Sequence, residues 1–164
     1  AQARIALGEV EEGVKIVSDL AATRGDGQLV PSAEIYAANG RFDDAFAIAE
    51  QYREQLRPTA RAYADLIDGI NAIYQEEHVL AIESLRAALE SADLWIVRYY
   101  LGQAYLGAGY PAEASAEFDS LISRRGEAGG MYFDDVPTWR YTATLNEWKE
   151  KAANAISDMV ASSE

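Results

Sequence analysis

Three alanines recur at one position of a repeated pattern, and this recurrence constrains the fold more than any other feature. Ala45, Ala81 and Ala114 follow one another at nearly equal intervals, and each stands five positions after a small or polar turn residue. Gly13 takes the same place in a looser first unit. A period of about 34 residues is typical of arrays of helix–turn–helix units, in which a small side chain lets two helices approach closely.

Apolar side chains at spacings of three and four residues predict an all-α protein. Strong helix formers dominate, and Pro is rare. The connections are only a few residues long, so we expect consecutive helices to be antiparallel neighbours. The predicted helices span residues 10–23, 29–39, 42–56, 59–75, 78–90, 94–108, 111–123 and 138–161, with an irregular stretch at 124–137.

Composition excludes several function classes. The net charge of −13, from 14 basic and 27 acidic residues, disfavours binding to nucleic acid or to anionic lipid. No apolar run approaches the ~20 residues needed to cross a bilayer, so we expect no direct membrane insertion. The chain has no Cys, which removes disulfides, thiolate chemistry and Cys-ligated zinc.

Few side chains are candidates for chemistry, and each has a simpler interpretation. The only histidine, His78, stands at a predicted helix start and suits a surface or capping role. Asp134 and Asp135 lack the further oxygen ligands that Ca²⁺ requires, and Asp135 suits a helix cap. Arg124 and Arg125 suit a helix C-terminus, where cations complement the dipole. We therefore predict no catalytic residue, no metal site and no cofactor.

Residues 98–118, RYYLGQAYLGAGYPAEASAEF, resemble the signature of the tetratricopeptide repeat (TPR), W-x2-L-G-x2-Y followed by A-x3-F and P. The matching residues are Leu101, Gly102, Tyr105, Ala114 and Phe118, whereas Arg98 replaces the opening aromatic. Two weaker units retain Gly69, Ala81 and Leu85, and Ala33, Tyr36, Gly40 and Ala45. The resemblance implies a TPR-like α-solenoid of antiparallel helix hairpins with a long C-terminal capping helix.

Residues 121–141, LISRRGEAGGMYFDDVPTWRY, are similar to a stretch in repeat regions attached to bacterial serine/threonine kinases of eukaryotic type. The shared elements are Arg-Arg-Gly-Glu-Ala at 124–128 and Asp-Asp-Val-Pro-Thr at 134–138; afterwards TATLNEWKEKA replaces the expected further repeat. We expect one continuous domain cut from a longer signalling protein. Its parts are repeats over 1–124, a loop over 125–137 and a capping helix over 138–164.

The TPR resemblance also implies a concave groove lined by the first helix of each pair. The corresponding residues here are Tyr63, Ile67, Ile70, Tyr74, Tyr99, Tyr100 and Gln103. Tyr supplies contact area with a polar tip, so we expect an apolar or basic segment of a partner protein or peptide to bind there. The alternative is that these side chains pack against neighbouring helices. Some TPR proteins hold a peptide carboxylate with Lys, Asn and Arg, but the matching positions carry Val30, Glu34, Leu66, Ile70, Tyr99 and Gln103, which argues against that mode.

The predicted function is therefore protein–protein interaction or scaffolding without catalysis. Two alternatives stay open. An apolar flank on the helix from residue 10 would let the chain self-associate as a homodimer, and a space between the groove and the last helix would make a small-ligand sensor. The resemblance favours the bacterial cytoplasm, or the periplasmic side if the parent kinase spans a membrane.

Overall fold

The protein is all-α in the part of the chain that the computed structural model describes, which comprises Glu9, residues 11–16, Asp19, residues 29–124, Gly126 and residues 139–162. Residues 11–16 are helical. Seven longer helices follow: α1 (Leu29–Ala38), α2 (Phe42–Arg53), α3 (Pro58–Tyr74), α4 (His78–Ser91), α5 (Trp95–Gly107), α6 (Pro111–Ser123) and α7 (Trp139–Ala161). These bounds lie within a few residues of the predicted ones. Apart from Gly126, the predicted loop at 125–137 lies outside the described residues, as does half of the predicted first helix at 10–23.

The helices pack sequentially in adjacent pairs, as predicted. Each helix from α1 to α6 contacts the helix that follows it, and α1, α3, α5 and α7 also contact one another in order. None of the described helices is long and apolar enough to cross a membrane. The α-solenoid and the domain bounds stay predictions, because sequential pairing alone does not define them.

One turn geometry recurs at the connections α1–α2, α3–α4 and α5–α6. Gly40, Glu76 and Gly109 have positive φ values of 72°, 61° and 82°. In each turn the next backbone N–H donates to the carbonyl five residues earlier, with N···O distances of 2.9, 2.9 and 2.8 Å. This is the Schellman arrangement that ends a helix at a left-handed residue. The turn residue that the sequence pattern places five positions before each repeated alanine is therefore a helix terminator.

Small residues lie at the helix crossings, as the repeat predicts. A Cβ added to Gly69 would lie 2.5 Å from Cγ of Leu85, and one added to Gly102 would lie 2.4 Å from Cε1 of Phe118. Both Leu85 and Phe118 are fully buried. The two members of each pair have the same separation in sequence around their turn, so the two hairpins share one packing contact.

The main apolar core runs from Val30 in α1 to Ala152 in α7. At the N-terminal side, Val14 of the helical residues 11–16 forms a second, small cluster with Ile35, and Tyr36 packs against both clusters. Arg41 forms salt bridges with Glu11 and with Asp44, which connect that segment to the α1–α2 turn. Tyr36 and the Arg41 salt bridges therefore connect the N-terminal segment to the main array.

Candidate functional site

The predicted groove residues lie on α3 and α5, and most of them are buried. Tyr63, Ile67, Ile70, Tyr99 and Tyr100 are each at most 5% exposed. Tyr74 is 44% exposed, and Gln103 is partly exposed. Of the seven, only these two present substantial surface in this conformation. A role in partner binding stays a prediction for all seven.

Tyr63 packs within the array. Its ring centroid lies 5.3 Å from that of Tyr52 in α2, and both rings are buried. The tilted geometry, with 48° between the ring planes, is a favourable aromatic contact. Tyr63 therefore links one helix pair to the next, which is the packing role that the sequence left open.

Helix α7 covers the two tyrosines of α5. The ring of Tyr141 lies 5.0 Å from that of Tyr99 and 5.9 Å from that of Tyr100. Tyr99 also stacks on Trp95 at 6.1 Å. The face of α5 that was predicted to meet a partner thus holds an aromatic residue of the chain's own last helix.

A directional chain of hydrogen bonds fastens α7 to Tyr99. The indole N–H of Trp148 donates to the Tyr99 hydroxyl at 3.1 Å, and Thr144 Oγ1 lies 2.7 Å from that hydroxyl. Thr144 Oγ1 in turn donates to the carbonyl of Tyr141 at 3.1 Å. Because the single Thr144 hydroxyl proton is donated to the Tyr141 carbonyl, the Tyr99 hydroxyl donates to Thr144 Oγ1 while it accepts from the indole. The polar hydrogens of Trp148, Tyr99 and Thr144 therefore each have an acceptor.

Tyr141 extends the contact to the other end of the array. Its hydroxyl donates to Oε2 of Glu34 in α1, at 2.7 Å. Tyr100 lies near both groups, but its buried hydroxyl makes no hydrogen bond of normal geometry. Burial, with the nearby Glu34 carboxylate and Tyr141, raises the pKa of Tyr100 well above its usual value. Tyr100 is therefore a neutral packing group here.

Three of the positions that the TPR resemblance would assign to carboxylate binding are apolar and buried. Val30, Leu66 and Ile70 carry no polar side-chain group, and each is fully buried. The negative charge of Glu34 would repel a peptide carboxylate, and Glu34 accepts the hydrogen bond from Tyr141.

The candidates for chemistry fall into structural contacts or lie outside the described residues. His78 packs its ring on Gly107, where an added Cβ would lie 2.5 Å from the ring. Arg124 binds Asp93, donating to its carboxylate at 3.0 Å and to its carbonyl at 3.2 Å. Arg125, Asp134 and Asp135 are not among the described residues. Within the described residues, no group of three or more His, Asp or Glu side chains could hold a metal ion.

A cleft of about 690 Å³ at the α2–α3 connection was not anticipated from the sequence. Arg53, Arg57 and Arg61 line it, together with Asp65 and Glu90. The regular spacing of the three arginines was the available signal. Arg53 is engaged by Glu50 and Asp68, so acidic neighbours offset much of the cationic charge.

Comparison with protein-family models finds no match for this chain, and comparison with curated protein sequences finds none either.

Proposed function

We propose that this chain is a non-catalytic protein-interaction module, built as a TPR-like array, that binds a helical segment of a partner protein on the face formed by α3 and α5. One observation carries the proposal: this face already holds an amphipathic helix, α7. Tyr99 and Tyr100 contact Tyr141 through their rings, and Tyr99 bonds to Thr144 and Trp148. Rings with polar tips are well suited to recognising a helix.

The repeated packing supports the TPR-like part of the proposal. The crossings Gly69–Leu85 and Gly102–Phe118 and the three left-handed turns recur at nearly equal intervals along the chain. Such arrays present the first helix of each pair along one surface, and extended surfaces of this kind commonly bind other proteins.

The partner would contact the part of this face that α7 leaves accessible, where Tyr74 and Gln103 present surface. Tyr74 supplies a large half-exposed ring, and Gln103 can both donate and accept hydrogen bonds. Tyr is one of the residue types that are enriched at binding hot spots.

The test is selection from a displayed library of helical peptides against the full chain, followed by affinity measurement on the selected peptides. We expect the double variant Tyr74→Ala/Gln103→Ala to weaken binding by about tenfold or more, since exposed Tyr residues are frequent hot spots. The matched control is Val79→Ala/Arg86→Ala, which removes two exposed side chains of α4.

Selected peptides that bind both double variants as tightly as the wild type would refute the proposed face. Failure to enrich any peptide would count against the interaction function itself. Circular dichroism on each variant verifies that helix content is unchanged.

A further inference from the structure

A second apolar surface lies at the far end of α7, away from Tyr141. It consists of Tyr110, just before α6, and Ile156, Met159 and Val160 of α7, which we call the end patch. Tyr110, Met159 and Val160 are 49%, 56% and 57% exposed. The end patch borders a pocket of about 360 Å³ whose wall also includes Pro111 and Glu113.

The end patch continues the buried stripe of α7. Tyr141, Leu145 and Ala152 on that stripe are each at most 5% exposed, because α5 and α6 cover them. Further along α7, the same spacing continues with Ile156, Met159 and Val160. These side chains lie beside the start of α6, which covers them only in part. Contiguous exposed apolar side chains beside a pocket are a feature of interaction sites.

The charged residues around the end patch are acidic. Glu113 lines the pocket, and the exposed Asp158 adjoins Met159. No Lys or Arg occurs in residues 109–123 or 152–162. Nearby acidic groups are already engaged: Asp119 binds Lys149 at 2.6 Å, and Glu117 binds Arg98 at 2.9 Å. Glu113 and Asp158 form no salt bridge among the described residues, so they are available to a cationic partner.

We propose that the end patch is a docking surface for a basic amphipathic helix of a partner protein. The row of apolar side chains on that helix inserts beside Met159, whose flexible thioether adapts to different shapes. Lys or Arg residues flanking the row face Glu113 and Asp158, and the net charge of −13 steers such a segment toward the chain. This surface is separate from the α3–α5 face, and the inference does not depend on the function proposed there.

The experiment titrates the full chain into a fluorescein-labelled synthetic peptide of about 18 residues, with Leu and Lys placed at helical spacing. A second peptide carries Glu in place of Lys. The test variant is Met159→Ser/Val160→Ser. Its matched control is Val79→Ser/Leu80→Ser, an adjacent pair on α4 that is 64% and 49% exposed. Tyr74→Ala/Gln103→Ala reports on the other face.

We expect the test variant to raise the Kd for the Lys peptide by about tenfold, because two apolar contacts are lost. The α4 control should stay within about twofold of the wild type, which is the scatter expected for residues outside the contact. The Glu peptide should bind much more weakly than the Lys peptide, and its deficit should shrink at high salt.

Four results would overturn the inference. They are an absence of Lys-peptide binding, equal binding of the Glu peptide, equal weakening by the α4 control, and weakening by the Tyr74/Gln103 variant alone. Sedimentation of the unliganded chain supplies a fifth: if Met159→Ser/Val160→Ser converts a dimer to a monomer, the end patch is an interface between copies of this chain instead.

Discussion

The hydroxyl of Tyr141 in α7 donates a hydrogen bond to Oε2 of Glu34 in α1, at 2.7 Å, although the two residues are 107 positions apart. This bond connects the last described helix with the first of the seven. It also places the Tyr141 ring against Tyr99 and Tyr100 of α5. The position of α7 therefore depends on contacts with α1 and α5 as well as on its neighbour α6.

Tyr141→Phe should lower the free energy of unfolding by about 1 kcal/mol, because the bond to a carboxylate is lost while the ring contacts remain. Urea denaturation measures the change, and hydrogen exchange should show faster opening of α7. Tyr110→Phe is the matched control, since Tyr110 is half exposed. Equal stability of the two variants would show that the Glu34 bond contributes nothing.

Gly102→Ala should destabilise the protein by about 1–2 kcal/mol, because overpacking against Phe118 outweighs the better helix propensity of Ala. The added Cβ would lie 2.4 Å from a ring that is fully buried. Thermal or urea unfolding provides the measurement. Adding Phe118→Leu to Gly102→Ala should recover part of the loss, whereas Phe118→Leu alone should be destabilising. A neutral Gly102→Ala variant would contradict the close crossing.

Glu76→Gly should stabilise the protein by about 0.5–1 kcal/mol, because Glu76 occupies a left-handed conformation that a glycine adopts without strain. The converse change, Gly109→Ala, should destabilise by about 1 kcal/mol through backbone strain alone. No atom lies within 4 Å of the added Cβ at Gly109, so steric clash does not contribute. Urea titrations of the two variants should therefore shift in opposite directions, and shifts of the same sign would contradict the shared turn geometry.

The contributions of Asp93 and Asp68 to the free energy of unfolding should change in opposite directions as pH falls. Hydrogen bonding to Arg98, opposed in part by burial, lowers the pKa of Asp93, with Arg124 adding to the effect. The unfolded chain then takes up the proton first, so the contribution of Asp93 is present above pH ~4 and is lost as pH falls through the folded pKa. Burial raises the pKa of Asp68 despite its bond to Arg53. The folded protein then takes up the proton first. The unfavourable effect of the ionised Asp68 on the free energy of unfolding is therefore relieved as pH falls.

Urea denaturation from about pH 7 to about pH 3 checks both signs with the variants Asp93→Asn and Asp68→Asn. The stability difference between wild type and Asp93→Asn should shrink toward acid. It amounts to ~0.5 kcal/mol, because the Asp93 carboxylate is half exposed and screened by solvent. The difference between wild type and Asp68→Asn should move in favour of the wild type toward acid. Parallel pH profiles for the two variants would contradict these assignments.

Much of the fold is readable from the sequence because its determinants are local. Each of these determinants lies within a single hairpin. They are the apolar stripe of each helix, the turn residues Gly40 and Gly109, and the crossing of Gly102 with Phe118. Periodicity and residue size report such contacts directly. Glu76 shows where such local prediction ends. A glutamate does not by itself indicate a left-handed turn, and only its position five residues before Ala81 in the repeat does so.

The candidate site was less predictable because it depends on distant segments. A tyrosine at a groove position has the same spacing whether it meets a partner or the chain's own helix, so the sequence left both interpretations for Tyr99 and Tyr100. The spacing of Ile156, Met159 and Val160 likewise indicates a stripe without showing where its cover ends.

By itself, the sequence determined an all-α chain of short-linked helices that pack sequentially in pairs, because a helix–turn–helix period with small residues at the crossings has few other solutions. Only the tertiary structure decided that Tyr141 meets Tyr99, Tyr100 and Glu34, and that the end patch stays exposed. The physical reason is that such contacts depend on where a distant helix comes to lie, which is set by the summed geometry of every preceding crossing and not by any local pattern.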